Sequence, residues 1–446
     1  MQDINGYERF IGLLPGCYSM GVSHPETFVA GANLVLNSAE APLTALTVYG
    51  HSTQDGTPSP DNPVPIVSAG DSGEIEAKVY GGNLISSDIS SWKKGGWSVF
   101  NDTVLQLSDG IKIKAINGWI KVYYDTSEMN GKTLNLSFDY RQIESETTSP
   151  ITGNAFAVVV QDENIYPETA SDIFPFQINS PETVKTHVSV SFIARNYLCF
   201  FLRVNTEGVE AGETRAIEVT NIMLNAGNTE LTYEPYKTPQ SIVLSTPNGL
   251  PGIPVTSGGN YTDADGQQWV CDEIDLARGK YVQRVGTETI NGGYNLSETP
   301  DFPGRFLQHN AGFTNSYKNG GYKSVCNIAL WHGWGVGKDD TAWVFAVSPP
   351  GYYLNPPTAS GITTADELNA FLNSLGFPLV LAGQLETPIE TDLPAEEIAA
   401  YKALHTYSPA TTVSNDADAW MKVGYYGLTT IQKLEKEAIV INGGKS

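Results

Sequence analysis

The residues with the most recognisable chemistry in this chain are aromatic. A pyranose ring presents apolar C–H faces, and a Trp or Tyr ring on a rigid scaffold stacks on them while neighbouring polar groups bind the hydroxyls. Two groups have the spacing for such a site. Trp92, Trp97, Trp119, Tyr123 and Tyr124 gather at the start of one β-rich stretch. Trp119 and Tyr123, four positions apart on one strand, share a face. Trp92 and Trp97 flank Lys93-Lys-Gly-Gly96, which reads as a loop and would leave that pair exposed. The second group sets Trp331 and Trp334 beside Trp343, Tyr352 and Tyr353, with Gly333, Gly335 and Gly337 marking a loop. Each ring has a competing reading as core filling, and the sequence leaves both open.

Catalytic and metal-binding patterns are expected to be missing. The histidines at 24, 51, 187, 309, 332 and 405 show no zinc spacing. No G-x-S-x-G elbow and no phosphate-cradling glycine motif appears. Glu396-Glu397 opens a helix, where acidic side chains favour the helix dipole. Asp263-Ala-Asp-Gly266 lacks the third acidic position and the distant Glu of a calcium loop, so it reads as a hairpin turn with Gly266 at positive φ. Cys17, Cys199, Cys271 and Cys326 are far apart with no C-x-x-C pair, and Cys199 lies in an apolar strand. These features imply a non-enzyme with no cofactor and no metal. A glycan-depolymerising activity stays as the minor alternative, because two glycosidase carboxylates need not be close in sequence.

Charge narrows the partners. The balance of 26 basic against 49 acidic residues gives a net charge of −23, which argues against nucleic acid and against anionic membranes. Met1-Gln-Asp-Ile-Asn-Gly6 shows no secretory pattern, and no run approaches the roughly 18 apolar residues of a membrane span. A product made in the cytoplasm without a signal peptide, and with no membrane insertion, is the expectation.

The elements that must position the rings are strands. Apolar residues alternate in 111–116, 134–140, 187–192 and 216–222, while 155–160 and 198–204 are apolar throughout and read as strands covered on both faces. About eight strands separated by turn residues predict a jelly-roll type β-sandwich over 81–238. The whole chain reads as all-β and multi-domain. An irregular arm at 1–46 precedes a β segment with a Pro-rich connector at 47–80. After the sandwich come a hairpin-rich segment at 239–290 and a mixed β-rich domain at 291–424. The prolines at 58, 60, 63 and 65 predict an extended connector over a groove-binding ligand. Thr364-Ala-Asp-Glu367 has capping-box spacing and predicts a helix through Leu375, and Pro394 opens a second. In the segment 425–446, Leu428, Ile431, Leu434, Ala438 and Ile441 form an amphipathic stripe suited to self-association.

Four stretches carry a resemblance. Asn221-Ile-Met-Leu-Asn-Ala-Gly227 followed by Tyr233-Glu-Pro-Tyr236 resembles the end of the carbohydrate-binding-module-like sandwich in tail proteins of phages and prophages of Gram-positive bacteria. The segments 50–66, 267–284 and 404–423 are similar to further elements of those proteins, in the same order. The resemblance implies a virion component of the tail tip, baseplate or fibre, with other tail or baseplate proteins as partners and homotrimers favoured. It brings no catalytic motif. Together with the aromatic groups it predicts a receptor-binding protein that recognises host surface polysaccharide during adsorption. The alternative is a purely structural baseplate or fibre subunit.

Overall fold

The computed structural model describes residues 17–21, 29–30, 40–96, 103–116, 118–146, 154–163, 172–204, 213–299, 302–308, 317–318, 324–331, 341–348, 351–407, 411–417 and 419–426. The chain is all-β, with two short α-helices among the described residues. Most of the 1–46 arm and the 427–446 stripe lie outside the described residues.

Strands far apart in sequence build a central body. A seven-stranded sheet runs in the order Cys17–Gly21, Trp420–Tyr426, Leu43–Tyr49, Glu273–Asp275, Lys280–Ile290, Leu379–Asp392, Ser324–Cys326. A four-stranded sheet places Glu74–Gly81 between Gln240–Ser245 and Thr411–Asn415, with Val29–Ala30 at its edge. Leu46, Val48, Ile274, Met421 and Val423 of the first sheet pack with Ile75, Ala77, Val79 and Leu244 of the second. The second helix, Ala395–Ala403, adds Tyr401 to this core, and Glu397 turns inward to accept the Ser245 amide at 2.9 Å. Glu396 and Glu397 stand in the first turn of this helix, as the sequence predicts, and Glu397 is in addition a buried partner of a strand.

Two modules are inserted at the ends of strand pairs in this body. Glu74–Gly81 pairs antiparallel with Gln240–Ser245, Val79 opposite Gln240, and everything between them is the sandwich. Lys280–Ile290 pairs with Leu379–Asp392, Ile290 opposite Leu379, and the intervening chain forms the third body apart from Ser324–Cys326, which returns to the edge of the seven-stranded sheet. That body joins a five-stranded sheet to the helix Ala365–Asn373, whose Leu368 and Leu372 meet Phe306, Phe345, Tyr352 and Leu381. The Thr364 capping box is complete: Oγ1 accepts from the Glu367 amide at 3.3 Å, and Glu367 Oε2 accepts from the Thr364 amide at 3.0 Å. The Pro-rich connector is laced to this body, since Val64 is buried and its amide donates to the Asn327 carbonyl at 2.8 Å.

The sandwich consists of two antiparallel five-stranded sheets. One has the order Ile173–Ile178, Phe156–Gln161, Tyr197–Arg203, Trp119–Asp125, Lys93–Gly96; the other has Thr186–Ile193, Thr133–Glu146, Thr214–Ala226, Gly110–Ile116, Thr103–Gln106. Ile111, Leu136, Phe138, Phe156, Phe200 and Ile217 meet between them. The alternation of each strand puts these residues on one face.

Asn83 and Glu234 close the sandwich where the chain arrives and leaves. Asn83 Nδ2 donates to the carbonyls of Ile222 and Glu234, both at 3.0 Å, and its Oδ1 accepts the amides of Leu224 at 3.1 Å and Ile85 at 3.2 Å. Glu234 Oε1 accepts the Asn83 amide at 3.2 Å. Burial pushes the Glu234 carboxyl up, and the amides of Gly82 and Asn83 draw it back down.

In the central body, Asp272 is fully buried at a β-bulge. Its Oδ1 accepts the amides of Arg284 at 2.6 Å and Val285 at 2.7 Å, and the Tyr281 hydroxyl donates to Oδ2 at 3.0 Å. The bulge frees two backbone donors from the sheet ladder, and a buried carboxylate is the acceptor that satisfies both.

Two stability predictions follow from these networks. Asn83→Ala strips partners from two amides and two carbonyls and should cost about 3 kcal/mol or more, read as a lower urea midpoint. Burial pushes the Asp272 carboxyl up to about 7, against about 3.9 in an unfolded chain. Between those values the native state holds a proton that the unfolded state has released, so this group's contribution is full below about pH 4 and declines as pH rises to about 7. Urea titrations across that window should show the decline in the wild type and its loss in Asp272→Asn.

Candidate ligand-binding face of the sandwich

The two outer faces of the sandwich differ in chemistry. On the Thr133–Glu146 sheet the outward face carries polar networks, Asn135 binding Ser191 and His187 lying between Asp139 at 2.8 Å and Glu230 at 2.9 Å, with Leu105 and Ile193 exposed singly toward its edges. On the other sheet the outward row of Trp119–Asp125 is Trp119, Lys121 and Tyr123, opposite Arg203, Phe201 and Cys199. Ala157 and Val159 continue the row on the next strand. These side chains form a second apolar cluster separate from the sandwich core. The aromatic outer face, open only at its rim, is the candidate contact surface of the sandwich.

The cluster has a buried centre and a half-buried rim. Tyr123, Phe201, Cys199, Ala157 and Val159 are buried, while Trp119, Tyr197 and Phe174 pack around them with part of each ring reachable. The Trp119 and Phe201 centroids are 5.7 Å apart, and Tyr123 meets Tyr197 edge-on at 5.7 Å. Two cations lie over rings: Lys121 Nζ 5.6 Å from the Tyr123 centroid and the Arg203 guanidinium 5.1 Å from that of Phe201. Lys121 is only 2% exposed, and burial pulls its ammonium below the usual lysine range. Burial also pushes the Cys199 thiol up to about 12, which leaves it an inert core group. At the rim, rings beside the Arg203 guanidinium suit a hydroxylated ligand with an apolar face, whereas Lys121 belongs to the buried centre.

The rings grouped together from sequence separate here. Trp119 and Tyr123 come together as the strand period requires. Trp92 does not join them: it is 7% exposed inside the sandwich core, 5.5 Å from Phe200 in a stacked pair, with Nε1 donating to the Ser86 carbonyl at 2.7 Å. The physical reason is that Lys93–Gly96 is an edge strand paired with 120–123 and no loop, so the outward position opposite Tyr123 falls to Lys93, and Trp92 turns inward. Trp331 is half-buried against the core of the third body, beside buried Trp343 and Tyr352. Trp97 and Trp334 lie outside the described residues. Sequence reasoning missed Lys121, Tyr197, Phe201 and Arg203; cross-strand register brings them to Trp119, and nothing local in sequence reveals register.

Among the described residues no cluster of His, Cys, Asp and Glu could hold a metal ion, and no helix is long and apolar enough to cross a membrane. Asp263 closes a turn, accepting the amides of Asp265 at 3.1 Å and Gln267 at 2.9 Å, with Gly266 at φ 83°.

No family model and no curated protein matches the chain. Among solved structures, a family 29 carbohydrate-binding module from Piromyces equi aligns at 14% identity and TM-score 0.21, over 34% of this chain and 91% of that one. The tripod (BppUct-A-L) from the baseplate of bacteriophage Tuc2009 aligns at 12% identity and TM-score 0.24, over 61% of this chain and 91% of that one. Likenesses this loose carry no weight for function.

The division between core and face is measurable. Trp92→Ala should lower stability by about 3–5 kcal/mol, as for a buried large aromatic. Trp119→Ala on the rim should cost about 1 kcal/mol. Parallel thermal melts of the two variants check the assignment.

Proposed function

We propose that this protein is a non-enzymatic tail component of a virion infecting Gram-positive bacteria, and that its sandwich recognises host cell-surface glycan. The observation that carries the reading is the aromatic outer face, where Trp119, Tyr197 and Phe174 rim a rigid sheet beside Arg203. The four stretches that resemble tail proteins support it, and one of them supplies Glu234, which closes the sandwich. Its partners would be neighbouring tail or baseplate proteins and copies of itself, with a trimer favoured. A shallow rim gives weak single-site binding, and several copies on one particle raise avidity with no new contact.

A second reading rests on a specific observation. The buried centre of the same face, Tyr123 with Phe201 and Cys199, also suits a seat in an assembly, which would make the sandwich a structural spacer. Binding of the full chain to purified wall polysaccharide separates the two. Trp119→Ala and Tyr197→Ala should each lower affinity about tenfold, equivalent to 1.4 kcal/mol, with the melting transition retained. Undiminished binding in both variants favours the spacer, and release of reducing sugar by the wild type favours a depolymerase.

A further inference from the structure

The inner face of the sandwich carries one residue that its core does not explain. On the strand Thr214–Ala226, Arg215 shares the inward side with Ile217 and Val219, as strand alternation requires. It stands opposite Ala115 on one neighbouring strand and Ser145 on the other, and it is 5% exposed. Its Nε and Nη1 are shut from solvent with no acceptor among the described residues. Burial pulls the guanidinium below its usual range, and the buried Glu213 two positions earlier does nothing to offset that pull. Glu144 on the paired strand is already taken up by Lys114 and Thr214. An arginine keeps its charge even so, and a charge taken out of water is costly unless an anion faces it.

An unused acceptor stands close by. Gln142 lies opposite Ile217, diagonal to Arg215, where the sheet bulges between Gln142 and Glu144. Its Oε1 is buried with no donor among the described residues. Diagonal positions on a sheet face are about 7–8 Å apart, so donor and acceptor are neighbours that bond neither to each other nor to the core. Ala115 beside Arg215 fills little space, and the exposed Ser145 leaves a way in. This is the end of the sandwich away from its mount. Asn83 pins the same strand at Ile222 and Leu224, roughly 25 Å along at the rise of a β-strand. The planar guanidinium fork matches the two oxygens of a carboxylate or phosphate, and an amide oxygen accepts a hydroxyl. A neutral ligand leaves the charge unanswered, and a cation adds to it.

We propose that Arg215 and Gln142 form a recess at the free end of the sandwich for a hydroxylated organic anion, its carboxylate or phosphate on the Arg215 fork and a hydroxyl on Gln142 Oε1. The site lies between the sheets, apart from the aromatic outer face, and stands whether or not that face binds glycan.

The test is calorimetric titration of the full chain at low ionic strength with glucuronic acid and glucose 6-phosphate, and with glucose and glucosamine as the uncharged and cationic counterparts. At least one anion should bind saturably, and the tighter of the two identifies the oxyanion. Glucose and glucosamine should bind about tenfold more weakly or not at all. Arg215→Lys, which keeps the charge without the fork, and Gln142→Met should each weaken the anion about tenfold, and Trp119→Ala should leave it unchanged. Arg215→Met gives a second readout. Replacing an unanswered buried charge with an apolar chain should hold or raise the melting temperature, and should abolish the further rise that the anion gives the wild type. The proposal is overturned if neither anion binds by about 20 mM, near the millimolar floor of specific recognition. It is equally overturned if glucose binds as tightly, if binding follows Trp119, or if either site variant leaves it unchanged. Melting of Arg215→Met well below the wild type would also overturn it, by showing that the chain itself supplies the partner of Arg215.

Discussion

The buried contact between Asn83 and Glu234 is the constraint on which the sandwich depends. Asn83 alone completes four hydrogen bonds that no strand ladder supplies, and it reaches the 222–224 backbone and the 234 carbonyl together. Those bonds tie the first residues of the inserted module to its last strand, so the chain enters and leaves at one place. The network is costly to leave half-made, because each of its groups is out of reach of water. With the ends pinned, the β-strands between them form a body with its own core, attached to the rest through the adjacent strands Glu74–Gly81 and Gln240–Ser245. A cleft lies beside this attachment, where Tyr80 and Tyr236 approach from the incoming and returning chain.

The central body uses the same device twice. Each inserted module occupies the connection of an antiparallel pair, so it adds contacts without breaking the pair's register. The pairing partners themselves are held by long-range contacts: Leu43–Tyr49 lies between Trp420–Tyr426 and Glu273–Asp275. Aromatic packing reinforces that closure, with Tyr261 stacked on Trp420 at 4.6 Å and His51 4.5 Å from the same indole. Two of the stretches that resemble tail proteins, 267–284 and 404–423, meet in this region, which gives them a structural role in holding the body shut.

What was legible in the sequence followed the local periods. The alternating runs at 111–116, 134–140, 187–192 and 216–222 are strands with one face in the sandwich core, and the continuous runs at 155–160 and 198–204 are covered on both faces. The Thr364 capping box and the Gly266 turn were likewise visible, because each depends on residues within a few positions. Pairing between distant strands was not legible. Nothing near Leu43 shows that it will lie beside Tyr425, and nothing near Lys280 shows Asp392 as its neighbour. The candidate face was half legible for the same reason. Strand period places Trp119 with Tyr123, whereas Phe201, Arg203 and Tyr197 arrive through register. Trp92 was misread because Lys93-Lys-Gly-Gly96 has the composition of a loop, and pairing with 120–123 overrides that local preference.

The central claim is that the sandwich is a self-contained module carried on a hairpin of an independent body, and that it is the part we propose to bind glycan. Replacing residues 82–238 with a two-residue Asn-Gly turn would join Gly81 to Pro239 across an existing strand pair. Cooperative unfolding and wall-glycan binding, measured on this shortened chain and on the full one, test the claim together. The account predicts a single unfolding transition retained by the shortened chain, with glycan binding lost. A shortened chain that fails to fold, or one that folds and still binds, would contradict it.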